Sequence, residues 1–187
     1  MSSSKIKDFK IDISQEDVDR LKRKLQDHRL PPKPIVPDAG KSYGPTYEWG
    51  EHLVNTWRND FDWYEHQKRI NTAPHYIYSH PADEQLAGGP SDGSINIHFL
   101  HARSKREDAI PLIMVHGWPG SFYEFNQVWG PLSNPEDDSQ PAFHVVVPSL
   151  PGYGWSDWPP RSKWTLQDTT KVYDSLMKEL GYSKLVY

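Results

Sequence analysis

Apolar positions follow two rhythms along this chain, and the change falls near residue 73. Before it they recur every three or four residues, with proline interrupting. After it they alternate or run together, as strands do. Phe9-Lys-Ile11-Asp-Ile13 is extended and leads into a helix that Ser14 caps. Asp17 stands three residues on, and Val18, Leu21 and Leu25 share one face of that helix, which runs to Arg29. Leu30-Pro31-Pro32-Lys-Pro34-Ile-Val-Pro37 cannot continue it, because proline has no N–H and a fixed φ; polyproline-like chain is expected there. A second helix is predicted over 46–59, with Trp49, Leu53 and Trp57 on one stripe, and a short third one from Phe61-Asp62-Trp63 through Ile70. No strand signal is read before residue 73.

His75-Tyr-Ile-Tyr-Ser79 and Ile95-Asn-Ile-His-Phe-Leu100 alternate, as half-buried antiparallel strands do, and the polar stretch 81–93 closes them into a hairpin. Pro111 to Val115 and Phe143 to Val147 are continuous apolar runs, the signature of strands covered on both faces. A helix over 122–132 is predicted between them, and a Gly/Pro loop over 148–157 follows. Thr165 caps a helix over 167–180, which carries Val172, Leu176 and Leu180 and ends at Gly181. Lys184-Leu-Val-Tyr187 opens another buried run. Buried strands alternating with helices imply a parallel sheet with right-handed crossovers. Residues 111–115, 143–147 and 184–187 are therefore expected as parallel neighbours, with the earlier strands antiparallel to them.

Composition narrows the chemistry. The 187 residues include no Cys, which removes disulfides and thiolate ligands or nucleophiles and is compatible with a reducing compartment. Lys and Arg number 21 against 25 Asp and Glu, a net charge of −4 that gives no reason to expect nucleic acid as a partner. No stretch approaches the ~20 apolar residues of a membrane span, and the amino terminus is polar. A cytoplasmic or otherwise soluble intracellular protein is expected. Eight Trp, ten Tyr and 17 Pro suggest a turn-rich, aromatic segment laid over a core.

The chemistry-bearing stretch is His116-Gly117-Trp118-Pro119-Gly120. It stands between a buried strand and a helix start at Ser121, with Glu124 three residues on. A strand, a sharp turn and a helix N-terminus deliver free backbone N–H groups to one point, where negative charge is held. Open α/β sheets bind ligands at such carboxyl ends, and α/β-hydrolases draw an oxyanion donor from this kind of loop.

His116-Gly-Trp-Pro-Gly-Ser-Phe-Tyr-Glu-Phe125 and Val147-Pro-Ser-Leu-Pro-Gly-Tyr-Gly-Trp-Ser156 resemble the paired signatures of epoxide hydrolases of the microsomal and fungal type. Phe9-Lys-Ile-Asp-Ile13, Trp57-Arg-Asn-Asp-Phe-Asp-Trp63 and Ile95-Asn-Ile-His-Phe-Leu-His101 extend the resemblance over nearly the whole chain. It implies a partial α/β-hydrolase fold: a mostly parallel sheet with an antiparallel hairpin, preceded by a helical, proline-rich meander. Residues 1–73 would be the wrapping segment and 74–187 the first half of the hydrolase core. The implied reaction opens a small apolar epoxide with an aspartate nucleophile, forming an ester that a His–acid pair hydrolyses without cofactor or metal, while two cap tyrosines polarise the oxygen. The oxyanion side would be His116, Gly117, Trp118 and Pro119, with the bond before Pro119 cis. Tyr64 stands where the family commonly shows Arg, and the 81–93 loop is longer than usual. The resemblance also implies that nucleophile, acid, base and cap tyrosines lie beyond Tyr187, so this chain is expected to be inactive by itself and to self-associate through an exposed sheet edge.

Other readings stand beside it. A dehalogenase or esterase would share the turn, and a non-enzymatic fragment would need a separate second half. Tyr153, Trp155 and Asp157 either line a pocket or pack their loop. His116 is expected to hold the turn by hydrogen bonds rather than to act as the base. Gly89-Pro90-Ser91-Asp92-Gly93 copies the serine-elbow pattern, but a polar stretch precedes it and a strand follows, so a hairpin loop is expected. His75, His80, His98 and His101 are expected outward or at sheet edges, without metal.

Overall fold

Residues 4–38 and 40–183 are described by the structure, a computed structural model. Its strands are Ile6–Phe9 (β1), His75–His80 (β2), Ile95–Ala102 (β3), Ile110–Ile113 (β4) and Phe143–Pro148 (β5). Its helices are Gln15–Asp27 (α1), Tyr47–Asn59 (α2), Trp63–Ile70 (α3), Trp129–Ser133 (α4) and Leu166–Glu179 (α5). The strands form one sheet in the order β1-β2-β3-β5-β4. The two continuous apolar runs pair in parallel, Leu112 opposite Val145, and β5 pairs antiparallel with β3, Leu100 opposite Val147. This agrees with the expected layout for the described strands; residues 184–187 lie outside them. Ile110 and Met114 donate to the carbonyls of Ala142 and Val146 at 2.9 Å each. Alternation then puts the missing N–H of Pro111 on the opposite side of β4, where it takes nothing from this pairing.

One face of the sheet is closed by α5, whose Val172, Tyr173, Leu176 and Met177 pack with Tyr78, Ile95, Ile97, Phe99, Ile113 and Val146. The helix starts where it does because Thr165 and Asp168 cap each other reciprocally, and Arg161 pairs with Asp168 at 2.9 Å. Gly181 closes its end at φ +89°, a conformation that favours glycine.

Residues Asp12–Arg69 form a separate compact unit. Ser14 caps α1 and Thr46 caps α2, while α3 runs to the edge of the unit. Arg58 ties α2 to the end of α1, donating to the carbonyl of Leu25 at 2.6 Å and to that of His28. Trp49, Leu53 and Trp57 do share a stripe, but they remain 55, 48 and 44% exposed, and α2 buries no residue.

Three expectations need correction. Ile6–Phe9 is a strand, antiparallel to β2, although the sequence shows no strand signal before residue 73; four residues with only the end positions half-buried carry little periodicity. The helix expected over 122–132 is a 3₁₀ turn, Phe122–Phe125, followed by α4. Pro131 explains the split: inside one long helix it would remove a hydrogen bond, whereas in the first turn of α4 its N–H is not needed. The strand β3 is buried on both faces, so His98 and His101 are interior, as are His75 and His80 on β2.

Candidate active site

The Gly/Pro stretch after β4 folds back tightly because Gly120 donates to the carbonyl of Gly117 at 2.8 Å, around a cis Trp118–Pro119 bond. Ser121 then opens the 3₁₀ turn, its hydroxyl accepting from the Tyr123 N–H. Glu124 folds against Gly120 so closely that a side chain there would meet its carboxylate. Gly117 and Trp118 lie open, Trp118 84% exposed, and among the described residues neither N–H has a hydrogen-bond partner. Unpaired donors at the carboxyl end of a parallel strand can stabilise a developing oxyanion.

His116, by contrast, is buried. Its Nε2 accepts from the Leu150 N–H at 3.1 Å, which ties the turn to the loop after β5 and leaves Nδ1 to face the Gly117 carbonyl at 3.4 Å. Burial lowers its pKa, against the opposing effects of that carbonyl and Glu124, so the ring is held neutral as an acceptor. Tyr153 lays its ring edge-on to His116 at 5.1 Å. Trp155 packs among Phe9, His98 and Phe122, with centroids 5.1–6.0 Å away.

Two family models match the chain, overlapping over residues 110–125. Residues 6–125 match the family described as "Epoxide hydrolase N terminus", and residues 110–187 match the alpha/beta hydrolase fold. The chain belongs to the epoxide hydrolase family. It is 30% identical to epoxide hydrolase 1 of Sus scrofa over 186 residues, covering 96% of this chain and 38% of that protein. Aspergillus niger epoxide hydrolase superposes with a TM-score of 0.71 at 34% identity, covering 94% of this chain and 43% of the other. For the juvenile hormone epoxide hydrolase of Bombyx mori the TM-score is 0.77 at 29% identity, over 98% and 46%. The chain thus spans less than half the length of these relatives.

Asp157 accepts from the Asn96 N–H at 2.8 Å and pins its loop to the start of β3. Asp168 serves the α5 cap; burial pushes its carboxyl up, but the hydrogen bonds from Thr165 and the Arg161 charge outweigh that and hold it below the usual range. Ser91 lies in the β2–β3 connection, where its hydroxyl accepts from the Gly93 N–H, as a hairpin loop would have it. Among the described residues no cluster of His, Asp or Glu could hold a metal, and no helix is long and apolar enough to cross a membrane.

The residues missed by pattern reading are Ser149 and the interior histidines. His98 Nδ1 lies 2.8 Å from Ser149 Oγ and His98 Nε2 lies 3.1 Å from His75 Nδ1. On the far part of the sheet His101 Nε2 meets the Tyr182 hydroxyl at 3.0 Å. The signal available was the pairing register: His75 opposes Leu100 and Ile77 opposes His98, which sets His75 and His98 diagonally on one face.

Proposed function

We propose that this chain supplies the oxyanion side of an epoxide hydrolase active site. The observation that carries it is the pair of N–H groups at Gly117 and Trp118, unpaired among the described residues at the end of β4, in a chain matched over residues 6–125 to the epoxide hydrolase N terminus. His116 is the positioning residue that ties this turn to the loop after β5. Tyr153 borders the turn, whereas Trp155 holds its loop from within. The substrate class is a small apolar epoxide, consistent with the exposed rings of Trp118 and Trp158. Attack on the epoxide carbon, and hydrolysis of the resulting ester, need an aspartate and a His–acid pair. The match upstream of the hydrolase core favours this reading over a dehalogenase or esterase. In the same reading residues 1–73 are the family's N-terminal segment and 74–187 the first half of the hydrolase core.

A chimera tests the oxyanion role. Residues 1–187 continued into the remaining part of the Bombyx mori relative should form diol from an epoxide. Trp118→Pro, which deletes the N–H, should lower kcat about 10²–10³-fold, while Trp118→Phe, which keeps it, should stay near the parent. Equal rates for the two variants would remove Trp118 from the oxyanion hole.

Self-association belongs to the same reading. Ile110 at the start of β4 and Val115, two residues beyond its end, are 40% and 45% exposed, and β4 ends the described strand order. Unpaired edges template pairing with another chain. Sedimentation velocity of the 187-residue chain should show mass rising with concentration; a monomer at every concentration would refute it.

A further inference from the structure

The interior of the sheet contains a hydrogen-bond chain whose direction is set at one end. His75 Nε2 lies 3.1 Å from the Ile70 carbonyl at the end of α3, and a carbonyl only accepts. His75 therefore carries its proton on Nε2, and in a neutral ring its Nδ1 is an acceptor. His98 Nε2, 3.1 Å away, must then be the donor, which makes His98 Nδ1 the acceptor for the Ser149 hydroxyl at 2.8 Å. Every proton in the series Ser149, His98, His75, Ile70 is assigned by that terminal carbonyl.

We propose that Ser149, His98 and His75 form a directional relay that positions the loop after β5, and through it the oxyanion turn. The last clause rests on the functional reading above. His98 also meets the loop through its backbone. Its carbonyl accepts from the Ser149 N–H at 2.8 Å, and its N–H donates to Ser156 Oγ at 3.0 Å. Ser156 Oγ in turn donates to the Ser149 carbonyl, which also accepts from the Tyr173 hydroxyl. The next residue, Leu150, donates to His116 in the turn. Ser149, His98 and His75 are thus one peptide unit removed from the ring that holds Gly117 and Trp118.

The setting favours neutral rings. His98 is fully buried, with Phe9 of β1, Phe122 of the 3₁₀ turn and Trp155 of the loop around it; His75 of β2 is the titratable group it faces. His75 meets Ile70, Phe122 and His98, and Asp8 and Lys10 line the shallow depression that reaches it. Burial, with the neighbouring His75 adding to it, pushes His98 down to about 3. A second proton on His75 would leave its donation to Ile70 in place but reverse the other two bonds, making His75 Nδ1 the donor to His98 and His98 Nδ1 a donor toward Ser149.

The test reads tautomers in the 187-residue chain labelled with ¹⁵N-histidine, in solution or in sedimented material by magic-angle spinning. At pH 7 both His75 and His98 should carry hydrogen on Nε2 alone, and His98 should stay neutral through pH 5. In Ser149→Ala the tautomers should persist, because Ile70 still imposes them. The Leu150 amide should exchange about tenfold faster, the equivalent of one hydrogen bond of ordinary net strength. A hydrogen on His98 Nδ1, a charged His98 at pH 6, or unchanged Leu150 exchange in Ser149→Ala would overturn the relay. If Ser149→Ala does not fold, the tautomers of the parent chain decide. None of these readouts involves an epoxide, so an inactive chimera and a failed relay are separate results.

Discussion

Lowering the pH from 7 to 5 should cost this fold several kcal/mol of stability. His75, His80, His98, His101, His116 and His144 all have pKa values below the usual 6.5, with burial the largest cause in each. His98 is pushed down to about 3 and His101 to about 4, the latter with Arg103 and His144 adding to burial. The sign follows from which state takes the proton. Above the unfolded value neither state is charged; below it the unfolded chain binds protons that the folded interior refuses, so stability falls toward the folded values. His98 and His101 alone account for roughly 3–4 kcal/mol between pH 7 and pH 5. Urea unfolding followed by near-ultraviolet circular dichroism at half-unit pH steps measures this, and a midpoint flat from pH 7 to 5 contradicts it. Asp168 acts in a different window. Its stabilising contribution is present above the ordinary carboxylate pKa and is lost only as pH drops below about 4.

A polypeptide of residues 1–187 should leave an epoxide such as styrene oxide unopened. Donors that stabilise developing charge accelerate nothing until a nucleophile attacks. The sequence contains no Gly-x-Asp-x-Gly elbow, and the second oxyanion donor normally belongs to the residue after the nucleophile. Asp157 and Asp168 are each held by hydrogen bonds, one pinning its loop and the other closing its cap. Diol formation above the blank from this polypeptide would overturn that expectation.

Where side chains report their surroundings locally, the chain is legible. Continuous apolar runs at Pro111–Val115 and Phe143–Val147 mark the parallel pair, because strands covered on both faces have no polar side to alternate with. Ser14 and Thr165 mark helix starts because each hydroxyl satisfies an N–H of the first turn. The turn at His116–Gly120 is legible for a similar reason: its glycines and proline, and Ser121 just after it, act on their own backbone. The relay is not. His98 reads as the polar beat of an alternating strand, and what buries that face comes from elsewhere in the chain: Phe9, Phe122, and Ser149 and Trp155 from 51 and 57 residues further along. Phe61–Ile70 is placed by its local turn, but the significance of Ile70 depends on an imidazole in the next strand.

Pro111 makes the outer side of β4 a lock with one pin removed. Whatever strand pairs there finds outward N–H groups at Ile113 and Val115 and none at residue 111, since Ile110 and Met114 spend theirs on β5. A carbonyl brought opposite Pro111 would be left without a donor, which is expensive once water is excluded. Pairing is therefore tolerated toward the carboxyl end of β4 and discouraged at its beginning. A strand that reaches the far end can engage fully, whereas a second copy sliding along the whole edge meets a missing contact. One imino acid thus biases the choice of neighbour without altering the strand it belongs to.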